Sequence, residues 1–129
     1  MSENIVIWTQ AYNAEKTIRR AVDSILNQTY GEFTYYLVDN GSEDTTGDII
    51  RQYAAMDSRI VSLFESENHS CIFSYLSLFL SQGVEGYFVW LDADDEYNPE
   101  FLEKMIAFTI ENNLDLAFCG TEYMNYDGS

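Results

Sequence analysis

The sequence predicts an α/β domain with a mostly parallel central sheet and helices on both faces. Two observations lead there. Short apolar or aromatic runs alternate with segments whose apolar residues recur at helical spacing. In addition, the run Tyr87-Phe88-Val89-Trp90-Leu91 reads as a strand covered on both sides and passes straight into Asp92-Ala93-Asp94-Asp95. The C-terminal ends of strands are where open α/β sheets bind their ligands.

Taken in order, Ile5-Val6-Ile7-Trp8 is a short apolar strand, and Asn13 is placed to cap the helix after it. Ile18, Ala21, Val22, Ile25 and Leu26 share one face of that helix, and Gly31 closes it. Phe33 to Val38 is the second strand, ending at the turn signal Asp39-Asn40-Gly41-Ser42. A helix over Thr46–Met56 turns Ile49, Ile50, Tyr53 and Ala54 inward, and Ile60 to Phe64 is the third strand. Ser70 to Leu80 reads as a buried helix, and Tyr87 to Leu91 as the fourth strand. Asn98-Pro99 marks a helix start, with Phe101, Leu102, Met105, Ile106 and Phe108 as its packing face. Leu114 to Cys119 is expected as a fifth strand. Repeated β-α order implies right-handed crossovers. Gly120 to Ser129 follows with no closing helix signal, so the expectation is a truncated domain.

Composition narrows the function. The 129 residues suit one domain, and 47% hydrophobic content argues against a disordered chain. A run of about 18 apolar residues is missing, so no membrane span is expected. The N-terminus lacks a basic signal-peptide region, and Cys71 and Cys119 lie in apolar surroundings without metal-ligand spacing. They read as reduced core thiols of a cytoplasmic protein, any membrane association being left to regions outside this chain. The net charge of −16, from 22 acids against 6 bases, would repel nucleic acid. An anionic nucleotide could dock only with a cation neutralising the site.

Asp92 and Asp94, spaced by one residue, can turn toward one hard cation, and oxygen ligands of this kind suit Mg²⁺ or Mn²⁺. An Asp-x-Asp loop holding such an ion can grip a diphosphate. The same stretch can be laid on a calcium-loop frame, but that frame needs Gly at its sixth position, where Tyr97 stands, and a helix where this chain has a strand. Tyr12 could stack on a base or simply pack, and Asp39-Asn40-Gly41-Ser42 could meet a base edge or form an Asx turn. His69, the only histidine, assembles into no catalytic arrangement.

Together these pieces resemble the inverting glycosyltransferases of family 2, with the GT-A fold, a Rossmann-like domain. The resemblance runs through Val6-Ile7 to Tyr12-Asn13, Ile25 to Tyr30, Leu37 to Asp44, Gly86 to Asp95 and Pro99 to Met105. It implies that residues 1–129 are the nucleotide-sugar-binding, N-terminal portion of a catalytic domain. The donor would be a nucleotide sugar, most often a UDP-sugar, and the acceptor a saccharide, lipid or protein that the sequence does not name. Gln10, Ala11 and Tyr12 would border the nucleobase and ribose, and Asn40 would face the base edge. Asp94 would contact Mn²⁺ or Mg²⁺ directly, while Asp92 would meet the ribose or a metal-bound water. The general base would lie beyond Ser129.

The chain departs from the family pattern at Asn40, where Asp is usual, and at Gln10-Ala11, where Pro-Thr is frequent. It departs again at Ser70 in place of Gly and at Ser77-Leu78 in place of an Arg-Asn pair. Two alternatives stand beside this reading. One is a degenerate, non-catalytic nucleotide- or metal-binding domain. The other is a haloacid-dehalogenase-type phosphohydrolase, whose Asp-x-Asp normally lies near the N-terminus rather than two-thirds along the chain.

Overall fold

The computed structural model describes residues 4–68, 77, 81 and 86–125. Four strands form one sheet: β1 (Ile5–Ala11), β2 (Thr34–Asn40), β3 (Ile60–Glu65) and β4 (Tyr87–Trp90). The spatial order is β3-β2-β1-β4. Every neighbouring pair is parallel. Helices fully within the described residues are α1 (Ile18–Leu26), α2 (Thr46–Met56) and α3 (Phe101–Glu111). The expected α/β class with a parallel sheet is the one observed. The helix expected over Ser70–Leu80, with Cys71 and His69, lies outside the described residues except for Ser77, which is helical and exposed. None of the helices is long and apolar enough to cross a membrane, among the described residues.

β1 has a strand on each edge, and its side chains are buried on both faces. Ile5, Ile7 and Ala11 join Tyr35 and Leu37 of β2, Ile18, Ala21, Val22 and Ile25 of α1, and Ile49, Ile50 and Tyr53 of α2 in one core. The opposite face carries Val6, Trp8 and Val38, also buried. There Trp8 stacks on Tyr36, its register partner across the strands, at 5.6 Å. Tyr35 reaches through the core to donate its hydroxyl to Thr9 Oγ1 at 2.7 Å, and burial pushes that phenol far above its usual pKa. Gly86 enters β4 at a φ of +134°, and a Cβ there would lie 2.0 Å from the Asn4 carbonyl oxygen. Only glycine lets β4 approach β1 this closely at that turn.

Several local expectations change. Gly31 lies beyond α1, whose C-terminal cap is Asn27. Just past it Gln28 is buried, donates its amide to the carbonyls of Ser24 and Asn98, and accepts from Leu102 N at 2.9 Å. This one side chain fastens the end of α1 to the start of α3. The helix start expected at Asn98-Pro99 shifts by two residues: α3 has Glu100 as its N-cap, and Asn98 Oδ1 instead accepts from Glu100 N at 3.1 Å in the turn before it. Phe101, Leu102 and Ile106 pack inward as expected, while Phe108 is half exposed.

The fifth strand is not formed. α3 ends in a Schellman motif, in which Asn113 takes a φ of +51°, Asn113 N donates to the Ile110 carbonyl and Leu114 N to that of Thr109. Past it, Leu116 and Phe118 are exposed, and Cys119 is an exposed free thiol rather than a core one. A strand is stable only beside a partner that takes its ladder bonds. Among the described residues β4 is the edge strand of the sheet, and Leu114 to Cys119 does not pair with its free edge.

Arg59 braces the end of α1 against the sheet. Its guanidinium donates to the carbonyls of Gly31 and Leu26, pairs with Asp57 at 2.8 Å and lies 4.5 Å from the Phe33 ring. The hydrogen bonds from Arg59 hold the Asp57 carboxyl below its ordinary value of 3.8. A depressed folded-state pKa contributes stability above the unfolded value, lost as pH falls through the folded one. Asp57→Asn should therefore melt below the parent at pH 7, and the gap should close as pH drops below 3.8. Thermal denaturation of both proteins over a descending pH series from pH 7 tests this, and a gap that stays constant at every pH at which the parent folds would contradict it.

Candidate functional site

The strand order fixes where a ligand can sit. From β1 the chain steps to β2 and β3, then returns to place β4 on the other side of β1. The loops leaving β1 and β4 therefore part in opposite directions and open a crevice at the C-terminal edge, the switch point of such sheets. A cleft of about 540 Å³ lies there, walled on one side by Gln10, Tyr12 and the loop to Thr17, on the other by Asp92, Ala93 and Asp94, with Asp44 at its rim.

The β1–α1 loop is held by hydrogen bonds to the β2–α2 loop. Asn13 N donates to Ser42 Oγ at 2.9 Å, and Asn13 Oδ1 accepts from Glu43 N at 2.8 Å. Ala14 N donates to Thr46 Oγ1, and Glu15 N to Asp44 Oδ2. In return Thr45 gives its N–H and hydroxyl to Glu15 Oε2. Asn13 thus does not cap α1, whose N-cap is Thr17. It adopts a φ of +47° and spends its side chain across the two loops. The Asp44 carboxyl, though slightly desolvated, is held below its usual range by hydrogen bonds from Thr46 and Glu15 N.

In the Asp39–Ser42 segment Asp39 Oδ1 accepts from Ser42 N at 3.0 Å, a side-chain bond that closes the turn but reaches one residue farther than an Asx turn. Gly41 takes a φ of +76°, and a Cβ there would press on the backbone of Glu67 at 2.6 Å. Asn40 is buried and donates its amide to Asn68 Oδ1 at 2.6 Å.

On the opposite wall Asp92, Asp94 and Asp95 bring carboxylate oxygens within 4.8 Å of one another, all three residues being exposed. The next acid, Glu96, is drawn aside by Arg20 at 3.6 Å. Partial burial, then the charges of Asp94 and Asp92, push the Asp95 carboxyl above its ordinary value. The loop is closed by Asp95 N donating to the Asp92 carbonyl at 3.1 Å. It is anchored by Tyr97, whose hydroxyl donates back to the Trp90 carbonyl and whose ring stacks on Phe101 at 3.8 Å.

Of the residues singled out from the sequence, Gln10, Tyr12, Asp92 and Asp94 line the cleft together. Ala11 points into the core, fully buried, between its two lining neighbours. Asn40 lies at the tip of β2, paired to Asn68, and is not among the lining residues. Sequence reasoning missed Asp44 and Glu15, which line the cleft through contacts 29 and 30 residues apart in the chain. Their signal was the run Ser42-Glu43-Asp44-Thr45-Thr46, a helix-start pattern that also had a loop to hold.

The model of glycosyl transferase family 2 matches residues 7–129. TuaG of Bacillus subtilis strain 168, named for teichuronic acid biosynthesis, is 32% identical over 126 residues, covering 97% of this chain and 49% of TuaG. The glycosyltransferase GlyG of Streptococcus pneumoniae is 30% identical over 129 residues, or 100% of this chain and 42% of GlyG. The chain thus spans about half or less of the length of these relatives. Among solved structures, S. aureus TarS 1–349 in complex with UDP-GlcNAc superposes with a TM-score of 0.72 at 26% identity, over 85% of this chain and 32% of TarS. The mannosyltransferase PcManGT of Pyrobaculum calidifontis, in complex with GDP-Man and Mn²⁺, shares the fold at a TM-score of 0.70 and 21% identity, over 84% of this chain and 33% of PcManGT.

Thr46 is the keystone of the cleft wall, fully buried, accepting from Ala14 N and donating to Asp44 Oδ1. Thr46→Val keeps the shape but leaves the Ala14 N–H without its partner. The expected loss is about 1–3 kcal/mol, read as a lowered urea midpoint at unchanged m-value. An unchanged midpoint would show that the loops hold without this bond.

Proposed function

We propose the following reading for this chain, which belongs to glycosyl transferase family 2: its cleft is the donor site of a glycosyltransferase and takes a nucleoside-diphosphate sugar together with a divalent cation. The observation that carries it is the three-aspartate cluster on one wall of a cleft set at the switch point. The donor set fits Mg²⁺ or Mn²⁺, being all carboxylate oxygen, exposed and converging. Among the described residues Glu15, Asp44, Asp92 and Asp94 line the cleft against Lys16 as its only lining cation, so an unaccompanied diphosphate would meet net negative charge. Asp94 and Asp92 would hold the ion, Asp94 directly. When bound, the ion would neutralise charge on the diphosphate.

The other wall supplies what a nucleoside needs. Tyr12 is 46% exposed at the cleft, with the Gln10–Tyr12 backbone beside it, and an aromatic ring so placed can stack on a base. TarS, more than 25% identical over most of this chain, holds UDP-GlcNAc, which favours a uridine donor here. Asn40, at the end of the neighbouring strand, is the residue we assign to the base edge. Glycosyl transfer to an acceptor also needs a general base at the acceptor hydroxyl. We place that base and the acceptor site in the part of the protein that its longer relatives have beyond the region matched here.

Two outcomes test the reading. Calorimetric titration with UDP should give binding with Mn²⁺ present and little with a chelator. Asp94→Asn should abolish the metal-dependent part without lowering the metal-free melting temperature, since one charge leaves a mutually repelling cluster. Equal UDP affinity with and without metal would refute the bridge, and a clear loss of metal-free stability would make Asp94 a structural residue instead. Residues 1–129 alone should form no glycoside with UDP-sugars and an acceptor panel, at most slow donor hydrolysis. Robust product by mass spectrometry would place the base inside this chain.

A further inference from the structure

Trp90 closes β4, and its indole N–H donates to Asp92 Oδ1 at 2.7 Å. Indole has a donor and no acceptor, and a donor aimed at a carboxylate makes a short, charge-assisted bond. The ring that carries it is itself fixed. It is half-buried at the end of a paired strand, in register with Trp8, and lies 6.5 Å from the Phe88 ring on the same side of β4. The backbone carbonyl of Trp90 accepts from Tyr97, and that of Asp92 from Asp95 N. Asp92 is therefore held at both its side chain and its backbone, with Oδ1 engaged by the indole and a carboxylate oxygen within 4.8 Å of oxygens of Asp94 and Asp95. The Asp94 carboxylate takes part in no hydrogen bond among the described residues.

We propose that Trp90 is the positioning residue of the cation site: its indole N–H fixes the Asp92 carboxylate so that Asp92 and Asp94 present a preset pair of oxygens, and it senses whether the pair is occupied. This rests on the reading of the cleft as a metal-dependent donor site. Three carboxylates this close repel, and left free they would rotate apart and have to be gathered again when an ion arrives. A neutral donor fixed in the strand removes that rearrangement at Asp92 without adding a positive charge to compete with the cation. Ligand-orienting partners of this kind typically change metal affinity 10–100-fold when removed. The same bond links the ion to the ring, because a cation drawing electron density from the carboxylate weakens its pull on the indole proton.

Trp90→Phe tests this, keeping an aromatic ring beside Phe88 and removing only the donor. In the ¹⁵N-labelled protein, which has two tryptophans, the variant assigns the Trp90 indole cross-peak. Titration of the parent with Mg²⁺ should shift that peak along a saturating curve. In calorimetry with UDP present, Trp90→Phe should bind Mg²⁺ roughly tenfold more weakly at an unchanged melting temperature. Parent binding with an unmoved Trp90 indole peak, or equal affinity in the two proteins, overturns the positioning role and leaves the donor-site reading standing. A parent that binds no Mg²⁺ with UDP overturns both. Should Trp90→Phe fail to fold, the Trp90 indole peak is assigned through the backbone of the ¹³C,¹⁵N-labelled parent, and its shift then decides.

Discussion

Everything in this molecule depends on β1 having a parallel neighbour on each edge. That requirement makes β1 apolar on both faces, brings Trp8 and Tyr36 together on one side, and gathers α1 and α2 over the other. It also makes the strand order reverse at β1, so that the ends of β1 and β4 are neighbours whose loops diverge. The cleft follows from connectivity rather than from any particular side chain. What the sequence adds is chemistry at its two walls: an aromatic-polar strand end at Gln10–Tyr12 and a carboxylate loop at Asp92–Asp95.

The two walls are stiffened by different means. The β1 wall is held from outside, by reciprocal hydrogen bonds to the β2–α2 loop through Asn13, Ala14 and Glu15. The β4 wall is held from within, by bonds that run between Trp90, Asp92, Asp95 and Tyr97 inside one short stretch. Farther back, Gln28 ties the α3 start to α1, so the carboxylate loop has a fixed exit as well as a fixed entry. The loops of both walls are tied by these bonds before any ligand arrives, while the Asp94 carboxylate, without a hydrogen bond among the described residues, has most to gain from a cation.

The strands and the core faces of α1 and α2 were legible because burial writes them as runs and periodicities. Ile18, Ala21, Val22 and Ile25 are buried in the pattern their spacing predicts. The turns at Asp39 and Asn98 were legible because each is closed by a side-chain bond within three residues. The roles of Asn13, Thr46, Arg59 and Gln28 were not, since their partners lie 28 to 74 residues away. Local rules read Asn13 as a helix cap, and the long-range bond won. Leu114 to Cys119 failed for a related reason: β-propensity is local, but a strand exists only where an edge receives it. The carboxylates of the cleft were half legible. Asp92 and Asp94 announce themselves by spacing, whereas Glu15 and Asp44 become cleft residues only once two loops are brought side by side.

The same acidity separates the readings that the sequence left open. A phosphohydrolase of the haloacid-dehalogenase type needs its Asp-x-Asp strand as an early nucleophile, and here that strand is β4 of a family 2 glycosyl transferase chain. For a nucleotide-sugar site, the balance of charge dictates an order of dependence. Under the proposed reading, Lys16 cannot offset four lining carboxylates, so diphosphate and cation would each make the cleft habitable for the other. Linkage makes that coupling reciprocal: whatever factor the ion adds to nucleotide affinity, the nucleotide adds to ion affinity. The carboxylate cluster alone, exposed to water, would hold an ion weakly, and the cleft alone would reject a diphosphate. Selectivity for the intact pair of nucleotide and ion then follows from the electrostatics of the empty site, without any residue dedicated to excluding either partner by itself.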